Sequence, residues 1–501
     1  MKIQHILKGI DYMAYRGTSP LAATDINDIE VSNITFDSRR VQEGSLFVAQ
    51  RGEHVDGHNY IASAIEKGAV AIICEERVEA LTESAAVAIV VDDSNTALGT
   101  AASNFYGNPS HKLKLVGITG TNGKTTTVTL LHRMMRDMGH HTGLISTIVN
   151  RIDDTEYPAT HTTPDAIELN RLLSMMVAAG CQYCFMEVSS HAIVQKRIGG
   201  LLFAGAIFSN ITHDHLDFHK TMANYIQAKK AFFDSLTPDA FALTNIDDKN
   251  GMVMVQNCKA HLWTYSLQRM ADFHSKVVES TVHGQQIKME YKEVSTGNMR
   301  SAEFWTRLVG RFNAYNITAI AATAMLLGVD DNETLRVVSG LAAAPGRFEQ
   351  VHGHGITAIV DYAHTPDALQ NVVDTINEVR AKQQNLIVVV GCGGDRDPLK
   401  RPIMARIAAA GSDHLILTSD NPRTENPETI LDQMEAGLDD EQRGSVVRIT
   451  DRRQAIKTAV MLAREGDIIL IAGKGHEPYQ EINGVRHHFD DREEVRKLIG
   501  E

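Results

Sequence analysis

Apolar positions recur along this chain in two rhythms. Short, largely apolar runs read as buried strands, at 45–49 (SLFVA), 69–74 (AVAIIC) and 185–188 (FMEV). Residues 60–67 have helix-like spacing, as do Leu130, Leu131, Met134, Met135 and Met138, which predict a core stripe. In the last third, runs at 358–360, 386–390, 414–418 and 468–472 alternate with helix-like segments, predicting a second, largely parallel sheet. Breaks at Asn108-Pro109 and around 343–348 (AAPGRF) suggest three domains, 1–110, 111–344 and 345–501.

Each strand-like run of the last third is followed by polar residues: Asp361 to His364, 391–401, Asp420 to Arg423, and Gly473 to Glu477. Open α/β sheets bind ligands beyond the carboxyl ends of their strands. These loops therefore either converge on one cleft or carry ordinary loop chemistry.

At 501 residues the chain has the length of roughly three ordinary domains, and 43% hydrophobic residues suffice for substantial cores. A formal charge of −13 argues against a general nucleic-acid surface, while leaving room for a local basic pocket. There is no secretory signal and no apolar stretch of spanning length, so a soluble, cytoplasmic protein is expected, with no membrane insertion. Five cysteines make no disulfide scaffold. Cys181 and Cys184 have the spacing of a metal or redox pair, but no second pair completes a tetrad, and small buried thiols are the ordinary alternative.

Residues 116–127 (VGITGTNGKTTT) change the picture. Apolar residues lead into a Gly-rich turn, and Lys124 and hydroxyl residues then open a helix. Free N–H groups and the positive end of the helix dipole can there face a phosphate. Lys124 adds a mobile ammonium, and Thr125 can offer a hydroxyl to Mg²⁺. Ile118 stands where a strict P-loop has its first Gly, so the fit is to a shorter loop, Gly120-x-x-Gly123-Lys124-Thr125. A plain turn before a helix would look similar. Glu187, at the end of an apolar run, could hold Mg²⁺ or be satisfied by backbone donors. Residues 210–219 (NITHDHLDFH) tempt a zinc reading; a single ligand, His215, beside a Mg-phosphate centre is preferred. Lys229 and Lys230, on a helix-like stretch, could as well be a solvated charge patch.

The ordered set TFDSRR, GITGTNGKTTT, HTTPD, MEVSSHAIVQKR, SNITHDHLDFH, AKKAF, GRFNAYN, PGRFE, DYAHTPDAL, GCGGDRDPLKRP, SDNPRTENP and AGKGHE resembles the Mur ligases over nearly the whole chain. The resemblance is strongest to members that add meso-diaminopimelate to UDP-MurNAc-L-Ala-D-Glu. It implies an α/β, three-domain architecture: an amino-terminal UDP-binding unit, a central P-loop ATPase-like domain and a carboxy-terminal Rossmann-like domain that binds the amino acid. It also implies ATP as co-substrate, Mg²⁺, an acyl-phosphate intermediate and a place in peptidoglycan precursor synthesis; a monomer is expected.

Carried over by that resemblance, Gly120, Thr121, Asn122, Gly123, Lys124, Thr125 and Thr126 bind the ATP phosphates. Asn313, Asn316 and Arg347 contribute to its base and ribose region. Thr125, Glu187, His215 and Lys229, the last as a carbamate, are the Mg²⁺ contacts. Ser38, with Glu53, His54 and Val55, matches the uridine side. Thr162, Thr163, Ser189, Gln195 and Arg197 match the muramoyl-dipeptide set. Arg396, Asp420, Asn421, Pro422, Arg423, Gly473 and Glu477 match the diaminopimelate site, where Arg423 could pair with the distal carboxylate that lysine lacks. Asp361 and His364 read either as domain-closure or nucleotide-side residues or as strand-end structural bonds. A lysine-adding relative, a folylpolyglutamate synthase and a non-catalytic nucleotide binder are the competing readings.

Overall fold

The computed structural model describes residues 1–52, 55–212 and 216–500, without the side chains of residues 216 and 217. Glu53, His54 and His215, expected at the substrate and metal sites, lie outside the described residues. The chain divides into two compact units: Met1–Gly120, Leu131–Asn210 and His215–Trp263 form one, and Thr121–Leu130, Ile211–Asp214 and Thr264–Glu501 the other.

The first unit contains a six-stranded sheet in the order Ser19–Leu21, Met13–Arg16, Val87–Val90, Ala69–Cys74, Ser45–Val48, Asn33–Thr35. The last four run parallel, and Met13–Arg16 pairs antiparallel with Val87–Val90. The predicted runs at 45–49 and 69–74 are thus neighbouring strands. The helix-like stretch between them becomes a 3₁₀ turn, Gly57–Tyr60, followed by the helix Ile61–Glu66. Helix Ser94–Phe105 starts where the Asp93 carboxylate accepts from the N–H groups of Asn95 and Thr96, and it buries Ala97, Leu98, Ala101 and Ala102. At the Asn-Pro break Asn108 takes a left-handed φ of 52°, which Asn tolerates, before the 3₁₀ turn Pro109–His111.

The same unit holds a parallel array in the order Thr142–Ile145, Tyr183–Glu187, Lys114–Thr119, Gly205–Phe208, Phe241–Asn245. Strand Lys114–Thr119 lies at its centre and delivers the Gly-rich turn to the helix Lys124–Asp137. Of the predicted stripe, Leu130, Leu131, Met134 and Met135 are buried and Met138 is half-buried.

In the second unit, Phe273–Thr281, Gly284–Lys292 and Met299–Thr306 form an antiparallel meander. A six-stranded sheet follows, ordered Glu349–Gly353, Ile356–Asp361, Ile468–Ala472, Leu386–Val390, His414–Leu417, Val447–Arg448. Only the edge strand Glu349–Gly353 is antiparallel to its neighbour. Why 386–390 is apolar without alternation is visible in its packing. Leu386, Val388 and Val390 join one core with Leu369, Val373 and Ile376, while Ile387 and Val389 join another with Ile456 and Val495. Both faces are covered, so both sets of positions must be apolar. Register then puts Asp361 and Val390 opposite Ala472, and Val390 opposite Leu417. The four polar loops of the last third therefore leave the sheet at one edge.

Candidate active site

The Gly-rich turn needs its glycines for two measurable reasons. Gly120 has φ 155°, and a Cβ there would lie 1.9 Å from Ser209 Oγ. Gly123 has φ 87°, and its Cβ would lie 2.6 Å from Asn316 Oδ1. Both conformations disfavour any other residue, and the close approaches leave no room for a Cβ at either position.

In the first unit, Glu187 and Lys229 are each 1% exposed. Glu187 accepts from the Thr147 N–H at 2.7 Å, and the Thr147 hydroxyl donates to Thr162 Oγ1 at 3.1 Å. Lys229 donates to the Gly120 carbonyl at 2.8 Å, with its Nζ 4.6 Å from the Tyr225 ring centroid. Its neighbour Lys230 bonds Asp234 at 2.6 and 2.8 Å, a helix-side ion pair.

The expected dipeptide residues are drawn together around Thr163. Its hydroxyl donates to the Glu187 carbonyl at 2.8 Å and accepts from the Ser189 N–H at 3.0 Å. Arg197 donates to the Thr163 carbonyl at 2.7 Å and to Gln195 Oε1 at 3.0 and 2.7 Å. Burial lowers the pKa of that guanidinium, a cost an incoming anion would offset. Gln195 and Arg197 line a cavity of about 840 Å³, together with Gln50, Arg51, Asn95 and His219. Ser38 begins the 3₁₀ turn Ser38–Arg40, and its carbonyl accepts from Lys67 Nζ at 2.8 Å. Val55 is exposed.

In the second unit, Lys124 Nζ donates to the Thr121 carbonyl at 2.9 Å. Thr121 Oγ1 accepts from the Thr212 N–H at 3.0 Å. Asn122 donates to Asp367 Oδ2 at 2.9 Å, and Arg347 donates to Thr125 Oγ1 at 3.2 Å. Asn316 donates to Asn313 Oδ1 at 3.2 Å beside Gly123, and Thr126 is buried. The expected nucleotide residues of this unit thus gather on the turn. Asp367 joins them unforeseen, at the start of helix Pro366–Val379. Asp361 makes strand-end structural bonds: its carboxylate accepts from the N–H groups of Phe348 and Ala363 at 2.7 Å each. Burial raises its pKa, against the pull of Arg347. His364 is exposed and bonds the Tyr362 carbonyl at 2.8 Å.

The loops at the carboxyl edge of the last sheet do converge. Arg423, at a left-handed φ of 52°, donates through Nη1 to the Gly394 carbonyl at 2.6 Å, and its own N–H reaches the Glu481 carbonyl at 3.0 Å. Asn421 donates to Glu477 at 2.8 Å and accepts from Lys474 at 3.0 Å. Asp420 Oδ1 accepts from the Asn421 N–H at 2.6 Å, while its Oδ2 lies where a Cβ on Gly473 would come within 2.6 Å. A Cβ on Gly394 would meet the Pro422 carbonyl at 1.9 Å. Arg396 is exposed beside this group and bonds the Asp395 carbonyl at 3.2 Å.

Two buried cations of these loop motifs, Arg401 and Lys474, escaped the sequence reading. Arg401 donates to Glu425 at 2.8 Å and to the Gly393 carbonyl at 3.1 Å, tying the loop that carries Arg396 to the one that carries Arg423. Lys474 lies inside the converging loops, bonded to Asn421. Both occur in the motifs GCGGDRDPLKRP and AGKGHE, and burial of a charge is the signal that only the fold supplies.

Family models for the Mur ligase family catalytic domain, the Mur ligase middle domain and the Mur ligase glutamate ligase domain match residues 30–106, 118–324 and 346–475. The chain belongs to the Mur ligase family. Among its relatives, UDP-N-acetylmuramoyl-L-alanyl-D-glutamate--2,6-diaminopimelate ligase of Cytophaga hutchinsonii is 55% identical, over 96% of this chain and 97% of the relative. The Bacteroides fragilis protein of the same name is 51% identical, over 100% and 99%. A solved structure of a ligase of that name matches with TM-score 0.71 at 32% identity, covering 100% of this chain and 98% of the other. A Mur ligase shares its fold with more distant enzymes: a Thermotoga maritima folylpolyglutamate synthase matches with TM-score 0.58 at 14% identity, covering 75% of this chain and 90% of the other.

Proposed function

We propose that this Mur ligase joins meso-diaminopimelate to the γ-carboxylate of the D-glutamyl residue of UDP-MurNAc-L-Ala-D-Glu, using ATP. The observation that carries the acceptor assignment is the loop cluster in which Arg423, held between the Gly394 carbonyl and the Glu481 backbone, stands with Asn421, Lys474 and Glu477. A guanidinium in a fixed pose can take a carboxylate through two parallel hydrogen bonds, and a carboxylate nearby can take an ammonium. Diaminopimelate ends in both; lysine lacks the distal carboxylate.

A carboxylate oxygen of the D-glutamyl group attacks the γ-phosphorus of ATP, ADP leaves, and an acyl phosphate forms. The amine at the L-centre of diaminopimelate then attacks the acyl carbon, inorganic phosphate leaves, and the amine gives up a proton as the amide forms. Residues 120–126 offer backbone N–H groups to the phosphates, and Lys124 supplies the mobile charge. Asn313, Asn316 and Arg347 hold the base and ribose region. Ser38, Val55, Thr162, Thr163, Ser189, Gln195 and Arg197 hold the nucleotide sugar and dipeptide, with Glu53 and His54. Arg396, Asp420, Asn421, Pro422, Arg423, Gly473 and Glu477 hold the acceptor.

The donor chemistry fits Mg²⁺. Thr125 offers a hydroxyl and Glu187 a deeply buried carboxylate, both hard oxygen ligands, and Mg²⁺ takes few protein ligands besides water and phosphate. His215 would complete the set. Mg²⁺ bound there would neutralise charge on the transferring phosphoryl group. Lys229 as an ammonium repels a dication; as a carbamate formed with CO₂ it offers an anionic oxygen in the same buried position. Lys229→Ala is expected to abolish turnover, and wild-type activity in that variant would remove the assignment.

Domain boundaries near 110 and 344 go with this reading, as does a cytoplasmic monomer. Among the described residues no helix is long and apolar enough to cross a membrane. A charge of −13 argues against a general nucleic-acid surface and leaves room for local basic pockets that hold small anionic substrates. The test is phosphate release with ATP, Mg²⁺ and UDP-MurNAc-L-Ala-D-Glu, comparing meso-diaminopimelate, L-lysine and no acceptor, with product mass recorded. A tripeptide product with diaminopimelate alone is expected. Lysine preference would overturn the acceptor, and no product with either would overturn the ligase.

A further inference from the structure

The acceptor loops bury a cation that the reaction as described leaves without a task. Lys474 is 0% exposed, and its Nζ donates to Asn421 Oδ1 at 3.0 Å, lies 3.4 Å from Glu477 Oε2 and stands 5.5 Å from the Tyr479 ring centroid. An ammonium stripped of water is costly unless it has anionic or dipolar partners, so its place there calls for an explanation. Asn421 is held from several sides. Its oxygen also accepts from the Glu481 N–H at 2.9 Å, and its amide donates to Glu477 at 2.8 Å. Lys474, Asn421 and Glu477 thereby join the loop after His414–Leu417 to the loop after Ile468–Ala472.

Glu477 has an unfavourable setting without that cation. Burial, then the nearby Asp420, push its carboxyl pKa upward, while Lys474 and the Asn421 amide pull it back. Other charged or titratable groups that act with it are Arg452, Tyr362 and Tyr479. Arg452 is engaged with Asp491 at 2.8 and 2.7 Å, which leaves Lys474 as the cation in contact with the Glu477 carboxylate among the described ion pairs.

We propose that Lys474 is a positioning residue: it keeps Glu477 ionised and, through Asn421, aimed, so that the loop cluster takes an acceptor whose far end is zwitterionic. This rests on the acceptor reading given above. Lys474 bonds Asn421 and lies against Glu477, so its removal is expected to act on acceptor binding through the protonation of Glu477.

The experiment uses the full chain with ATP, Mg²⁺ and UDP-MurNAc-L-Ala-D-Glu, and four variants: Lys474→Met, Lys474→Arg, Glu477→Gln, and Lys474→Met with Glu477→Gln. Lys474→Met is expected to raise the KM for diaminopimelate about tenfold or more. The KM values for ATP and the UDP-substrate should stay within about twofold. The acid limb of kcat/KM for the acceptor should move upward by about one pH unit or more. Lys474→Arg should keep the wild-type acid limb, because the charge is retained. The double variant should be no worse than Glu477→Gln alone, within about twofold. An unmoved acid limb in Lys474→Met, a moved one in Lys474→Arg, or multiplying effects in the double variant would each overturn the proposal. If Lys474→Met does not fold, the arginine variant's acid limb decides. A wild-type enzyme that takes L-lysine would overturn the acceptor reading alone, since the same variants measured against lysine still decide what Lys474 does.

Discussion

The phosphate-loop turn and the acceptor loops are built by opposite means. The turn is shaped by glycine: Gly120 and Gly123 occupy conformations and close approaches that a side chain would block, as a turn that offers backbone N–H groups to a phosphate requires. The acceptor loops are shaped by charge: Arg423, Lys474, Glu477, Asp420, Arg401 and Glu425 cross-link one another and nearby backbone. On the proposed reading a backbone cradle takes phosphate, the group common to all ATP chemistry. A side-chain cluster can be retuned by a single substitution to read one amino acid. Common chemistry and particular specificity are thus placed in separate material.

The sharpest way to break that contrast is at Gly120. Gly120→Ala puts a methyl 1.9 Å from Ser209 Oγ and 3.0 Å from the Asn210 carbonyl, so the turn must move. Displacing reacting groups by an ångström costs about 100-fold. We expect a kcat loss of at least about that size with every acceptor tried. A selective loss with diaminopimelate would mean that the two regions are not functionally separate. The converse is Arg423→Lys, which keeps the charge and loses the planar fork. Preference for diaminopimelate over L-lysine should fall about 100-fold, with the KM for ATP unchanged. Competition between the two acceptors, read by product mass, measures it directly.

How much of each region could be read in the sequence follows from the same contrast. Glycines and a strand-to-helix order are local signals, so the turn was legible from residues 116–127, and Asn316 and Arg347 do meet it at Gly123 and Thr125. The four polar loops were legible as a set, because each follows an apolar run and parallel strands end together. Lys474 and Arg401 were not singled out: their partners Asn421 and Glu425 lie 53 and 24 residues away, and only burial distinguishes them from solvated charges. Asp367 was hidden likewise, 245 residues from Asn122. Asp361 carried a site-like motif, yet serves the backbone of Phe348 and Ala363.

Asp367 gives the contrast a smaller test, since it is the side chain on which the glycine-built turn leans. It accepts from Asn122 at 2.9 Å and from the Thr212 hydroxyl at 3.3 Å. Asp367→Ala removes both, and a hydrogen bond to a charged acceptor is worth about 1.5–3 kcal/mol at most. The KM for ATP should rise about tenfold, and the diaminopimelate-to-lysine ratio should hold. A changed ratio would show that the turn and the acceptor loops share their support.

The smallest effect expected concerns acid. His132, on the helix that the turn opens, is buried with no partner for Nε2 among the described residues, and burial, with Arg151 and Arg136, lowers its pKa to about 4. In the unfolded chain it takes a proton near its ordinary 6.5, so as pH falls from about 6.5 towards 4 the unfolded state binds more protons than the folded one. Stability must then drop, by up to about 1.4 kcal/mol per pH unit from this group. His132→Leu removes the titration and the orphaned nitrogen together. Its melting temperature should match or exceed the wild type at pH 7 and fall less steeply towards pH 5. The acid limb of acceptor kcat/KM should stay where it is, because that limb belongs to the charged loops and not to the phosphate-loop helix. A shift of both would join two regions that the glycine-and-charge contrast holds apart.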